Sequence, residues 1–168
     1  MSRKFSFTVP YAVPVEDLHR ALVRDDVWHA RFEEALTATL ELSHPEGANT
    51  IRIHMVERAD KDKVPGIVRK LLKADLILSR TDDWHAIDGA TAKGVFHATT
   101  SGIAGDMSGA YELRPTAEGC EIAVVGTVQV KVPLVGGAIE PLAEQLYRKV
   151  LSSERVFFEK WVAAQADA

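Results

Sequence analysis

Two regimes of hydrophobic patterning divide this chain. Up to Val132 apolar residues mostly alternate with polar ones; from Ile139 they recur at steps of three, four or seven. Alternation marks a strand with one buried face, and the longer steps mark an amphipathic helix. Phe5, Phe7 and Val9 form a first strand, after which Tyr11 to Pro14 turns the chain. Pro14 suits the first turn of a helix in which Glu16 and Asp17 sit at the positive end and Leu18, Ala21 and Leu22 face inward. A second short helix, capped by Asp25 or Asp26, carries Val27, Trp28 and Phe32.

Alternation then returns. Leu36, Ala38, Leu40 and Leu42 share one face, a turn spans His44 to Asn49, and Ile51, Ile53 and Met55 continue the buried row, with Arg52 and His54 opposite. Glu57 to Lys63 reads as a charged, exposed segment, and Ile67 to Lys73 as a basic amphipathic piece closing a sheet edge. The alternative for that piece is a lid or a lipid contact, but four apolar residues offer little area for docking. Ala74 to Arg80 and Trp84 to Ile87 read as a strand interrupted at Thr81-Asp82-Asp83, followed by strands at Thr91 to Thr100, Met107 to Leu113 and Cys120 to Val132. After a Pro133-Leu134-Val135-Gly136-Gly137 break comes a helix of roughly 40 Å. Its apolar face joins Leu142, Leu146, Val150, Phe157 and Trp161 to Ala143, Tyr147, Leu151, Phe158 and Val162. Glu140, Glu144, Arg148 and Glu159 are expected mostly away from that face. Arginine at position 146 should then abolish folding by burying an unpaired charge.

These elements predict an α+β fold: a curved antiparallel sheet of six or seven strands, two short helices after the first strand, and one long C-terminal helix across the sheet. Glycines at 94, 102, 105, 109 and 126 suit the bends or bulges that such curvature needs.

Composition changes this picture little. The 168 residues, 46% hydrophobic and 26% charged, suit one globular domain spanning 1–168. A net charge of −4 gives no electrostatic footprint for nucleic acid. No apolar run resembles a secretion signal or a membrane span, and Cys120 is the only cysteine, so a cytoplasmic protein is expected.

The order of elements from Phe5 to Trp161 resembles the START-like (SRPBCC, helix-grip) superfamily, which includes lipid-transfer domains, pollen allergens and polyketide cyclases. Val130 to Glu140, leading into the long helix, looks like the hallmark of an uncharacterised bacterial branch. The resemblance implies a hydrophobic cavity between the concave face and the last helix.

Candidate chemistry is sparse. His29 and Glu33 lie four apart, but without a second pair they read as a solvated helix face, and no metal or cofactor is expected. Asp82-Asp83-Trp84-His85 gathers acid/base groups yet reads as a polar turn anchored by Trp84. The glycines of Ser101 to Gly109 lack the Gly-Lys-Ser/Thr ending of a phosphate loop. Cys120, in phase with Ile122 and Val124, reads as a buried inert thiol. Polar residues in phase with apolar rows say more, because in a cavity wall they orient a ligand. Tyr111 shares a face with Met107, Arg80 with Leu76 and Leu78, and His97 with Val95, although a single bulge would turn His97 to solvent. Trp28 and Trp84 are candidate walls, and Tyr147 is the one such group on the long helix.

The expected function is binding or carriage of a hydrophobic small molecule or lipid. The alternatives are an enzyme of the polyketide cyclase or dehydratase type and a protein-interaction module.

Overall fold

Seven strands follow the alternation, and the computed structural model describes them within residues 2–59, 62 and 64–166. They are β1 (Arg3–Tyr11), β2 (Ala38–Ser43), β3 (Ile51–Ala59), β4 (Leu76–Trp84), β5 (Ala92–Ser101), β6 (Gly105–Thr116) and β7 (Gly119–Val130). The sheet is antiparallel throughout, in the order β1-β7-β6-β5-β4-β3-β2. Consecutive strands from β2 to β7 are therefore neighbours, while β1 and β2 form opposite edges. The helices α1 (Val15–Leu22) and α2 (Asp25–Arg31) carry the chain between those edges. Pro10 lies on edge strand β1, where a missing N–H does little harm.

Register sorts the inner face into rows crossing the sheet. Phe5, Gly126, Gly109, Phe96, Asp82, Ile53 and Leu42 make one such row. Its glycine pair has a steric purpose: a Cβ on Gly126 would lie 2.9 Å from the ring tips of both Phe5 and Phe96, so only glycines let those rings lie on the strands. The outer face is mainly polar, with Ile77, Val95 and Val125 as exposed exceptions.

The long helix α4 (Gly136–Ala166) crosses the inner face. Its entry is fixed by contact, since a Cβ on Gly136 would collide with the Val130 carbonyl. Glu140 then accepts the Val130 N–H at 3.0 Å. The Val130 to Glu140 motif thus locks the helix start to the last strand. A small cluster of Val68, Ile103, Val130 and Ile139 closes this end of the molecule, with α3 (Gly66–Arg69) contributing Val68. Helix α3 covers only the first part of the piece expected over 67–73, since it ends at Arg69. The exposed segment expected at 57–63 lies partly outside the described residues (Asp60, Lys61 and Lys63); Glu57 and Arg58 belong to β3 and are exposed.

Three expectations are corrected. The inner face of α4 is the second apolar row, Tyr147, Leu151, Phe158 and Val162, whereas Leu146 is 48% exposed. Glu140, Glu144 and Glu154 lie on the buried side, between the apolar residues. Neither Asp25 nor Asp26 caps α2, whose N-cap is Arg24. Asp26 pairs with Arg24 at 2.7 Å, and Asp25 reaches His44 at 2.7 Å. Glu33 falls beyond the end of α2, so it shares no helix face with His29.

His44 clasps the β2–β3 loop to α2. Its Nε2 meets the Asp25 carboxylate and its Nδ1 the Thr50 carbonyl, both at 2.7 Å. Both partners are acceptors, so both contacts are satisfied together only by the doubly protonated ring. These two bonds raise the imidazole pKa above its ordinary value.

Two stability predictions follow from this packing. Leu146→Arg should change unfolding free energy by no more than about 0.5 kcal/mol, as exposed sites do. Phe158→Ala, at a fully buried position against Trp28, should cost about 3–5 kcal/mol. Urea denaturation of both variants decides between the rows, and a collapse of the Leu146 variant would restore the rejected one. For His44, a raised folded pKa means stabilisation complete below the ordinary 6.5 and lost as pH rises through the folded value. The Tm advantage of the native protein over His44→Gln should therefore shrink between pH 6 and pH 9; an advantage that grew with pH would contradict the clasp.

Candidate functional site

Strand β4 supplies the core of the site because it does not break where a turn is expected. It runs unbroken from Leu76 to Trp84, placing Arg80, Asp82 and Trp84 on alternate positions facing inward. Asp82, read from sequence as part of a polar turn, is only 1% exposed. Hydrogen bonding across β3 and β5 holds the segment extended, which outweighs the turn preference of its acidic residues.

Arg80 sits between two carboxylates. Its Nε and Nη2 donate to the two oxygens of Asp82 at 3.1 and 2.5 Å. Its Nη1 and Nη2 donate to the two oxygens of Glu154, on α4, at 3.0 and 3.1 Å. Both contacts are fork-to-fork pairs, the strongest geometry a guanidinium offers. Tyr111 of β6 donates its hydroxyl to Asp82 at 3.2 Å and forms a short hydrogen bond with the Tyr147 hydroxyl of α4. The Arg80 guanidinium also stands over the Tyr147 ring, 5.4 Å from its centre. Three elements, β4, β6 and α4, thus converge on one buried polar cluster.

Electrostatics follow from burial. One guanidinium faces two carboxylates, so the fully ionised cluster carries one excess negative charge in a low-dielectric setting. Loss of solvent pushes the Asp82 carboxyl above the usual carboxylate range, against the pull of Arg80 and the Tyr111 hydrogen bond. Burial likewise raises the Tyr111 and Tyr147 hydroxyls, keeping both protonated. Arg80 stays charged because Asp82 and Glu154 outweigh its own desolvation.

Beside the cluster is a cavity of about 20 Å³, walled by Leu22, Trp28, Trp84, Ile122, Leu151 and Phe158 together with Arg80, Asp82, Tyr111 and Glu154. That is room for roughly one water molecule. Among the described residues, Trp28, Leu151 and Phe158 fill the space under the sheet, in place of the spacious apolar cavity implied by the resemblance. An aromatic wall backs the polar groups: Trp84 stacks on Tyr111 at 5.1 Å between ring centres, and Phe96 on Tyr111 at 4.8 Å.

A family profile described as a protein of unknown function, DUF2505, matches residues 6–162. This chain belongs to the DUF2505 family. An uncharacterised protein of Mycobacterium tuberculosis is 29% identical over 174 residues, covering 96% of this chain and 98% of its own. Among solved structures, the di-domain aromatase/cyclase StfQ of the steffimycin biosynthetic pathway superposes with a TM-score of 0.59 at 15% identity, covering 100% of this chain and 53% of that one. Norcoclaurine synthase from Thalictrum flavum gives 0.55 at 15% identity, covering 97% and 87%. At such identities these likenesses establish the fold. This DUF2505 protein has the helix-grip fold that its order of elements implied.

Of the residues singled out from sequence, Tyr111, Arg80, Trp84 and Trp28 line the cavity, and Tyr147 joins them through Tyr111. Met107 is buried on the same face but does not line the cavity. His97 is corrected: it lies on the outer face, exposed, with its Nε2 2.9 Å from Asp106. The inner row of β5 is Ala92, Gly94, Phe96 and Ala98, so His97 has the opposite phase. Cys120 is buried, and its thiol is pushed up to about 12, in keeping with an inert group. Two site residues escaped sequence reading, each with a visible signal. Asp82 is in period two with Arg80 and Trp84, and Glu154 falls in the 147, 151, 154, 158 series of the buried helix face.

Arg80→Met should strand two buried carboxylates and cost about 3–5 kcal/mol, measured by urea denaturation. A loss below about 1 kcal/mol, the range of exposed ion pairs, would contradict the buried geometry.

Proposed function

We propose that this DUF2505 protein binds a small, largely apolar molecule between the concave face and α4, with a polar group of the ligand meeting the Arg80–Asp82–Glu154–Tyr111 cluster. The observation that carries this reading is a satisfied ion cluster at the edge of a void with aromatic walls. A core built only for stability has little use for such a cluster, since well-packed apolar residues serve equally well or better. Polar groups converging on an apolar pocket are the usual form of a small-molecule site. The cavity of about 20 Å³ marks where the ligand enters. Binding opens it by displacing side chains contributed by α2 and α4, chiefly Trp28, Leu151 and Phe158, and carriage is the simplest use of such a site.

An enzymatic reading has its own support. Asp82, Tyr111 and Tyr147 form a buried hydrogen-bonded chain, and Asp82 has a raised pKa. Such groups in a cavity are candidates for moving protons. The fold is shared with proteins described as an aromatase/cyclase and norcoclaurine synthase. Turnover of a polyketone substrate that Asp82→Asn abolishes without loss of binding would favour this reading over carriage.

The binding proposal is checked with 1-decanol as a neutral apolar probe, followed by two-dimensional NMR of the amide and indole N–H signals. The expected result is saturable 1:1 binding, with shifts concentrated at Trp28, Trp84 and Leu151. Absence of saturable binding, or shifts confined to the outer face near Val95 and Val125, would overturn it.

A further inference from the structure

The charge balance of the cluster narrows the chemistry of the ligand, an inference that rests on the binding reading above. A buried arginine in an apolar cavity ordinarily suggests a carboxylate ligand, such as a fatty acid. Here the guanidinium is already committed. Of its five N–H groups four donate to Asp82 and Glu154, and both of its faces toward carboxylates are taken in bidentate fashion. The tyrosine protons are committed as well, with Tyr111 donating to Asp82 and Tyr147 sharing a hydrogen bond with Tyr111. What remains at the cavity wall is therefore mostly acceptor capacity on two carboxylates, together with one uncompensated negative charge.

The other walls point the same way. Trp84 and Tyr111 stack in parallel with 10° between their planes, and Trp28 meets Phe158 edge-on at 5.2 Å. Carboxylates in an aromatic-walled site recognise an ammonium group through charge-assisted hydrogen bonds, while the rings take up the apolar body that carries it. A carboxylate ligand would add a third buried anion beside a single guanidinium. We infer that the ligand of this site is an apolar organic amine, whose cationic group lies against Asp82 and Glu154 and whose hydrocarbon or aromatic body lies against Trp28, Trp84 and Phe158.

Three probes matched in chain length separate this inference from the binding reading beneath it: decylammonium, 1-decanol and decanoate, each titrated at pH 7 and followed calorimetrically. Decylammonium should bind at least about tenfold more tightly than decanoate, a difference of roughly one charge-assisted hydrogen bond. Glu154→Gln should remove most of that preference, read as the ratio of the decylammonium to the decanoate affinity. Asp82→Asn provides a second variant should the first fold poorly, and thermal melting verifies both. Decanoate binding as tightly as decylammonium, or a preference unchanged in both variants, overturns the amine assignment while leaving the binding reading standing. Failure of all three probes overturns both.

Discussion

The bidentate grip of Arg80 on Asp82 and Glu154 is the interaction on which the rest of this structure depends. It joins the sheet to the middle of α4, with both carboxylates almost wholly shielded from solvent. Removing Arg80 leaves two buried carboxylates without a counter-ion, and removing either carboxylate leaves guanidinium N–H groups without their acceptors, so the three side chains behave as a unit. Their position also fixes that of Tyr111, whose hydroxyl donates to Asp82, and through it that of Tyr147. The aromatic stack of Trp84, Tyr111 and Phe96 is arranged around those hydroxyls.

The long helix is held as much by acids as by apolar packing. Glu140 binds the end of β7, Glu144 pairs with Arg3 of β1, Glu154 pairs with Arg80 of β4, and Glu159 accepts the Ala12 N–H. Arg148 adds a contact to the Ser6 carbonyl and lies over the Phe7 ring. Each contact is directional, so together they specify where along the sheet the helix sits; apolar burial alone is indifferent to small sliding movements. A helix positioned by such contacts can tolerate an imperfect core beneath it. That core is where the small cavity of about 20 Å³ is found.

The architecture was legible because alternation and helical periodicity are strong signals. Every strand except β4 was located as a single strand, and the sheet, the two short helices and the long helix are as the pattern implied. The site was only half legible. Arg80 and Tyr111 stood out as polar residues in phase with apolar rows, and Trp84 and Trp28 as candidate walls. Asp82 was hidden because consecutive aspartates ordinarily favour turns, and only cross-strand pairing with β3 and β5 holds them extended. Glu154 was hidden because a glutamate on a long helix ordinarily faces solvent, and its burial depends on a partner from a strand over seventy residues away. The orientation of α4 was misread for the same reason: two adjacent apolar rows compete for the inner face, and buried acids decide between them. The volume of the cavity follows from how Trp28, Leu151 and Phe158 interlock, which no periodicity encodes.

The dependence of the helix–sheet contact on one ion pair is tested most directly by a double-mutant cycle between Arg80 and Glu154, using Arg80→Met, Glu154→Gln and the double variant, with unfolding free energies from urea denaturation. Strong coupling is predicted: the double variant should be more stable than the summed single losses imply, by about 1–3 kcal/mol. Additivity within about 0.5 kcal/mol would contradict it, because two residues that act independently cannot be the joint between α4 and the sheet.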